Sequence, residues 1–171
     1  VISALTHTCQ PGSKTAILGT TGVGKTTLFR LILGLIQPDS GSITFYGEGF
    51  SHPADRSMRR HLVFVPQGNT LMSGSIRDNL LVARPDATDT ELLSALHTAC
   101  ADFVNELPQG LDTRLHERGG GLSEGQAQRI AIARGLLRPG SILLLDEVSS
   151  ALDEPTEREL FSRLLAARPH D

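Results

Sequence analysis

The segment Gly19-Thr20-Thr21-Gly22-Val23-Gly24-Lys25-Thr26-Thr27 constrains this chain more than any other. Glycines at 19, 22 and 24 let the backbone curl around an anion with successive N–H groups pointing inward. Lys14 to Leu18, just before it, reads as a short strand. Lys25 to Leu35, just after it, carries Leu28, Leu31, Ile32 and Leu35 at the spacing of one helical face. Strand, loop and helix in that order aim the positive end of a helix dipole at bound phosphate. The fold class expected is therefore α/β. Lys25 is placed to meet the β- and γ-phosphates, and the Thr26 hydroxyl to ligate magnesium. From average residue usage, a chance match in a chain this long is on the order of one percent.

A second segment, Ile142-Leu143-Leu144-Leu145-Asp146-Glu147, is an apolar strand ending in two acids. Side chains at such a strand end emerge into the crevice where open α/β sheets bind ligands. Asp146 is placed to hold the metal, and Glu147 to orient and polarise a water for attack on the γ-phosphate. Two acids after a strand are often only a solvated turn; the phosphate loop upstream is what raises their meaning. Leu62 to Val65 reads as a buried strand closed by Pro66, with Gln67 at its end. Ser42 to Tyr46 alternates like a half-exposed strand.

From Gly68 to about Arg138 the character changes. Ser75 to Ala83, Thr88 to Ala101 and Ser123 to Leu137 read as helices with no convincing strand among them. Thr88 and Glu91 form a capping box, and Leu92, Leu93, Leu96 and Cys100 are expected on the buried side. Ser123 and Gln126 form another. A capping box does not explain Gly125 in the first helical turn, where glycine costs roughly 1 kcal/mol relative to alanine. An exposed helix start with Ser and Gly lets donors approach an anion closely, so this second site is expected to meet phosphate as well. Pro155 opens a last amphipathic helix bearing Leu160, Phe161, Leu164 and Leu165.

Composition closes off other classes. The 171 residues suit one domain, and the net charge of -3 gives no basic field for nucleic acid or anionic lipid. The absence of Trp and the single Tyr leave few rings for stacking bases. The longest apolar runs fall far short of the roughly 20 residues that cross a bilayer, and residues 1–8 show no signal peptide. Cys9 and Cys100 lack metal-ligand spacing and read as buried small hydrophobes in a reducing compartment. His7, His52, His61, His97 and His116 share no spacing with acids or cysteines that would make a metal site. Arg56, Arg59 and Arg60 read as a solvated loop face, and Tyr46 as half-buried.

Together these segments resemble, in order and over nearly the whole chain, the nucleotide-binding domain of the ATP-binding cassette (ABC) family. Gly19 to Thr27 resembles its phosphate loop, Gln67 its Q-loop and Leu122 to Gln126 its signature motif. Ile142 to Glu147 resembles the Walker B strand with its catalytic glutamate, and Ser150 to Asp153 the D-loop. The stretches Leu71 to Leu80, Leu107 to Thr113 and Leu115 to Gly119 are similar to the exporter branch.

The resemblance implies a P-loop NTPase core with a mostly parallel sheet and a small antiparallel β part, formed by residues 1–67 and 139–171. A helical signature subdomain at 68–138 would interrupt it. It also implies an ATPase whose cofactors are ATP and Mg2+, with Glu147, Lys25 and Gln67 catalytic and Thr26, Gln67 and Asp146 around the metal. Gly19 to Thr27 would grip the nucleotide from one side. Ser123, Gly125 and Gln126 of a second nucleotide-binding domain, packed head to tail, would grip it from the other. A transmembrane domain, fused or separate, would dock on the helical subdomain and place the chain at the cytoplasmic face of a membrane, powering export.

Three departures stand out. Glu124 replaces the usual signature glycine and is expected to turn toward Arg118 or Arg129 or to weaken that site. The chain stops at Asp171, before the H-loop histidine, and His170 comes too early to be that residue. The aromatic that stacks on adenine would precede Val1. Weak or absent turnover by these 171 residues is the expectation. Two alternatives share the motifs: a soluble cassette ATPase acting on nucleic acid or ribosomes, which would need basic surface, and a degenerate cassette that binds ATP to regulate a partner, against which the intact Glu147 argues.

Overall fold

A computed structural model describes residues 2–47, 49–116 and 120–167. Helix α1 (Lys25–Ile32) follows the glycine loop and closes at Gly34, so its last turn stops short of the expected Leu35. Gly34 sits at φ 61, its N–H bonds to the Leu31 carbonyl at 2.9 Å, and the Leu35 N–H bonds to the Arg30 carbonyl at 2.9 Å. That pair is the glycine-closed helix end in which two otherwise orphan carbonyls are satisfied. A Cβ on residue 34 would also lie 2.9 Å from the Asp55 Cα, so glycine is required twice over. Arg59 completes the end, its guanidinium donating to the Leu33 and Gly34 carbonyls at 2.8 and 2.9 Å. It is a helix cap, a correction to its reading as solvated.

Strands β1 (Thr44–Gly47) and β2 (Phe50–Pro53) form an antiparallel hairpin in which Phe45 faces His52 in register. Tyr46 lies inside β1 and is 52% exposed, where half-burial after a strand was expected. A 3-10 turn at Arg56–His61 leads into β3 (Leu62–Val65), which pairs in parallel with β6 (Ile142–Leu145), Leu62 opposite Ile142 and Val65 opposite Leu145. Parallel strands demand a long crossover. Here it is the helical region: α2 (Ile76–Leu81), α3 (Asp89–Thr98) and α4 (Glu124–Leu136), with α5 (Glu154–Ala167) following β6.

Sequence dictates the helix starts. Ser75 with Asp78, Thr88 with Glu91 and Ser123 with Gln126 each close a reciprocal capping box. Contrary to the all-helical reading of this region, Gly74–Ser75 (β4) and Arg114–Leu115 (β5) form a two-residue antiparallel ladder.

The main core lies between α2, α3, α4 and α5, with Ile76, Leu80, Leu92, Ile130, Ile132 and Leu160 fully enclosed. Several side chains assigned to buried faces are instead outside: Leu93 is 39% exposed, Phe161 38% and Leu165 49%. A smaller cluster joins Phe29 and Leu33 of α1 to Leu62 and Leu144 of the sheet. The face chosen for α1 is thus rotated by one residue, because the Phe29 ring packs against Phe64, centroids 5.9 Å apart and planes tilted by 53°. Cys100 is buried but Cys9 is exposed.

Lys14 to Leu18 makes no ladder with any described strand, and Leu18 is 91% exposed. A strand exists only through its partners' N–H and C=O groups, and apolar composition alone does not supply them.

Candidate functional site

The glycine loop has the shape its sequence demands. Gly22 and Gly24 stand at φ 85 and 114, and a Cβ at Gly22 would meet nothing within 4 Å, so conformation alone selects glycine there. Helix α1 opens on Gly24 with no side-chain cap, whereas α2, α3 and α4 carry capping boxes and Asp153 caps α5 by accepting from the Thr156 N–H at 2.8 Å. The first N–H groups of a helix need acceptors from outside it. α1 is the helix that leaves its positive end for an anion.

Two acids converge on this end from the sheet. Asp146, 3% exposed, accepts the Thr26 hydroxyl at 2.9 Å across 120 residues of sequence. Glu147 has φ 48, a left-handed conformation uncommon for a residue with a Cβ and costing of order 1–3 kcal/mol. Its two carboxylate oxygens divide their partners: Oε1 lies 3.0 Å from the Lys25 ammonium, and Oε2 accepts from the Gln67 amide at 3.0 Å. Lys25 also donates to the Gly19 carbonyl at 2.8 Å and the Thr20 carbonyl at 3.3 Å. Lys25, Thr26, Gln67, Asp146 and Glu147 therefore form one constellation at the mouth of the glycine loop.

The ABC transporter family model matches residues 2–150. This chain belongs to the ABC transporter family. It is 40% identical over 161 residues to antigen peptide transporter 2 of Mus musculus, covering 94% of this chain and 23% of that protein. It is 39% identical over 171 residues to the ATM1-type heavy metal exporter of Novosphingobium aromaticivorans, covering 99% of this chain and 28% of that protein. Among solved structures, a bacterial Atm1-family ABC exporter with ATP bound superimposes with a TM-score of 0.83 at 40% identity, covering 94% of this chain and 28% of that one. The chain thus spans about a quarter of the length of these relatives. The P-loop NTPase fold expected from the sequence is the fold of this ABC domain.

The chemistry of the donor set fits magnesium. A hydroxyl and a buried carboxylate within hydrogen-bond distance are hard oxygen donors, and Thr26 and Asp146 would hold the ion, which when bound neutralises phosphate charge. Gln67 is hydrogen-bonded to Glu147 and, among the described residues, makes no hydrogen bond to Thr26 or Asp146. Among the described residues no cluster of three or more His, Cys, Asp or Glu is placed to hold a metal.

The signature residues lie apart. No hydrogen bond or ion pair among the described residues joins Ser123, Gly125 or Gln126 to residues 19–27 of the same ABC domain. The Ser123 hydroxyl accepts from the Gln126 N–H at 3.2 Å, and the Gln126 side chain accepts from the Ser123 N–H at 3.0 Å, leaving the exposed hydroxyl proton to donate. Gly125 is buried, and a Cβ there would lie 2.7 Å from the Ala151 carbonyl oxygen. Close packing on the D-loop segment supplies a reason for this glycine that sequence reading did not reach.

Glu124 is exposed and does not turn toward Arg129, whose guanidinium donates to the Gly125 and Cys100 carbonyls at 3.2 and 2.7 Å and lies 4.9 Å over the Phe103 ring. Arg118, its other expected partner, lies outside the described residues, as do Glu117 of the exporter-like stretch and His170. Sequence reasoning also missed Gln128 and Arg134, both of which reach the backbone beside Gln67. Gln128, a polar residue set among Ala127, Ile130, Ala131 and Ile132 of α4, was the available signal.

Proposed function

We propose that this chain binds and hydrolyses MgATP as the nucleotide-binding domain of an exporter-type ABC transporter. One observation carries the reading most: Glu147, in a strained conformation, divides its carboxylate between Lys25 and Gln67 directly in front of an uncapped helix start. Lys25 is already inside the loop it would serve, held by the Gly19 and Thr20 carbonyls, so an arriving phosphate exchanges with a carboxylate as its partner. That exchange frees Glu147 to take the proton of an attacking water, with Gln67 fixing the other carboxylate oxygen. Residues 19–27 grip the triphosphate by amides, and Thr26 and Asp146 serve the metal.

Ser123, Gly125 and Gln126 act in this reading on the nucleotide of a second nucleotide-binding domain packed head to tail. A transmembrane domain, in the same chain or another, receives the power stroke at the cytoplasmic face. No described helix is long and apolar enough to cross a membrane. Isothermal titration with MgATP tests the binding step. Lys25→Ala is expected to weaken binding at least about tenfold, while Glu147→Gln is expected to retain binding and abolish turnover in the assembled transporter. Full turnover by Glu147→Gln would overturn the assignment.

A further inference from the structure

Gln67 sits on a short bow of chain whose two feet are tied to one helix. At the first foot the Gln128 amide donates to the Pro66 carbonyl at 3.3 Å. At the second, Arg134 donates to the Thr70 carbonyl at 3.1 Å and to its hydroxyl at 2.6 Å. Both donors belong to α4, the helix whose first turn presents Ser123 and Gly125. Six positions along a helix is about 9 Å of axis, whereas the four steps from Pro66 to Thr70 could extend to about 13 Å. The segment is therefore slack enough to arch. It turns at Gly68, whose φ of 83 is open to glycine with nothing within 4 Å of its missing Cβ.

The two ties are unusual uses of polar groups. Gln128 is 3% exposed and spends its amide on a loop carbonyl instead of on its own helix. Arg134 is half-buried and, among the described residues, pairs with no carboxylate; burial pushes its pKa down. A guanidinium taken out of water without a counter-charge is costly, and here, among the described residues, it donates to the two oxygens of Thr70. The helix carrying both is itself wedged on the sheet: a Cβ at Gly135 would strike Val65 Cγ2 at 2.7 Å, one residue before Pro66.

We propose that Gln128 and Arg134 are positioning residues that set the reach of Gln67 toward Glu147, so that any tilt of α4 at its Ser123 end moves Gln67 as well. This rests on the reading that Glu147 and Gln67 face the γ-phosphate. A rigid helix about 20 Å long, touching the partner's nucleotide at one end and the Q-loop at the other, couples the two without a chain of intervening side chains.

The test uses the 171-residue chain with Gln128→Leu and Arg134→Met combined, and separately Thr70→Val, which removes the hydroxyl acceptor and leaves Arg134 its bond to the Thr70 carbonyl. Affinities for MgADP and for the magnesium complex of the β,γ-imido triphosphate analogue are measured side by side. The wild-type chain is expected to prefer the triphosphate analogue. The double variant is expected to lose about tenfold of that preference, with MgADP affinity within about twofold of wild type; Thr70→Val shifts it in the same direction by less. Hydrogen exchange at amides 67–71, which needs no nucleotide, is expected to quicken about tenfold. Equal weakening of both nucleotides, an unchanged preference in both variants, or unchanged exchange would overturn the proposal. A wild-type chain that binds neither nucleotide would instead refute the functional reading, and the exchange measurement then decides the two ties by itself.

Discussion

The helical region at 68–138 and the segment leading into the phosphate loop are held in opposite ways. Around α2, α3 and α4 the interior is closed, with Ile76, Leu80, Leu92 and Ile130 at 0% exposure. Every residue from 3 to 23 is exposed, including the apolar Leu5, Ile17 and Leu18. Chemistry and packing are therefore separable in this domain. The glycine loop is shaped by local backbone preference at Gly22 and Gly24, and the region that carries Ser123 is shaped by a core.

The largest test of that contrast is truncation on each side. Ile130→Ala is expected to cost about 2–5 kcal/mol in denaturant unfolding, from lost burial and the cavity left behind. Leu18→Ala should stay within about 0.5 kcal/mol. Comparable losses at both positions would erase the distinction.

Next come two glycines kept for different reasons. Gly125→Ala forces a methyl against the Ala151 carbonyl, and the expected 1–3 kcal/mol of overpacking, roughly, exceeds the approximately 1 kcal/mol gained in helix propensity. Gly22→Ala meets no atom, so its cost is about 1–2 kcal/mol from the left-handed backbone alone. Unfolding midpoints of the two variants check the magnitudes. Only the second should also weaken nucleotide binding within a single chain.

The smallest effect concerns acid. The Arg84 guanidinium, then the Thr88 backbone and hydroxyl donors, hold the Glu91 carboxyl at about 2 against an ordinary 4.5. Because the folded value is the lower one, this contribution is complete above pH 4.5 and drains away as pH falls toward 2. Circular dichroism between pH 5 and 2 should show a shallower acid loss of helix in Glu91→Gln than in wild type. A superimposable acid limb would show that the cap of α3 is not held by this charge.

Legibility in the sequence followed the range of the interaction. The capping boxes at Thr88 and Ser123 and the glycine loop depend on neighbours within a few residues, while β3 and β6 fall on the residues expected although they pair across 80 positions. What escaped was long-range. The choice of Phe29 over Leu28 as a core residue depends on Phe64, and the tie from Arg134 spans 64 residues to Thr70. Lys14 to Leu18 shows the reverse error, an apolar segment read as a strand although no described strand pairs with it. At the site, residue types were legible and their pairing was not: nothing local announces that Glu147 adopts a left-handed backbone and engages Lys25 and Gln67 together.

The central claim is that residues 19–26 hold a nucleotide triphosphate by their amides, opposite Asp146 and Glu147. Titrating the folded, 15N-labelled chain with MgATP tests it most directly. The account predicts saturable shifts of the amide resonances of Gly22, Gly24, Lys25 and Thr26, lost in Lys25→Ala. Resonances that stay put at saturating nucleotide, in a chain that remains folded, would contradict it.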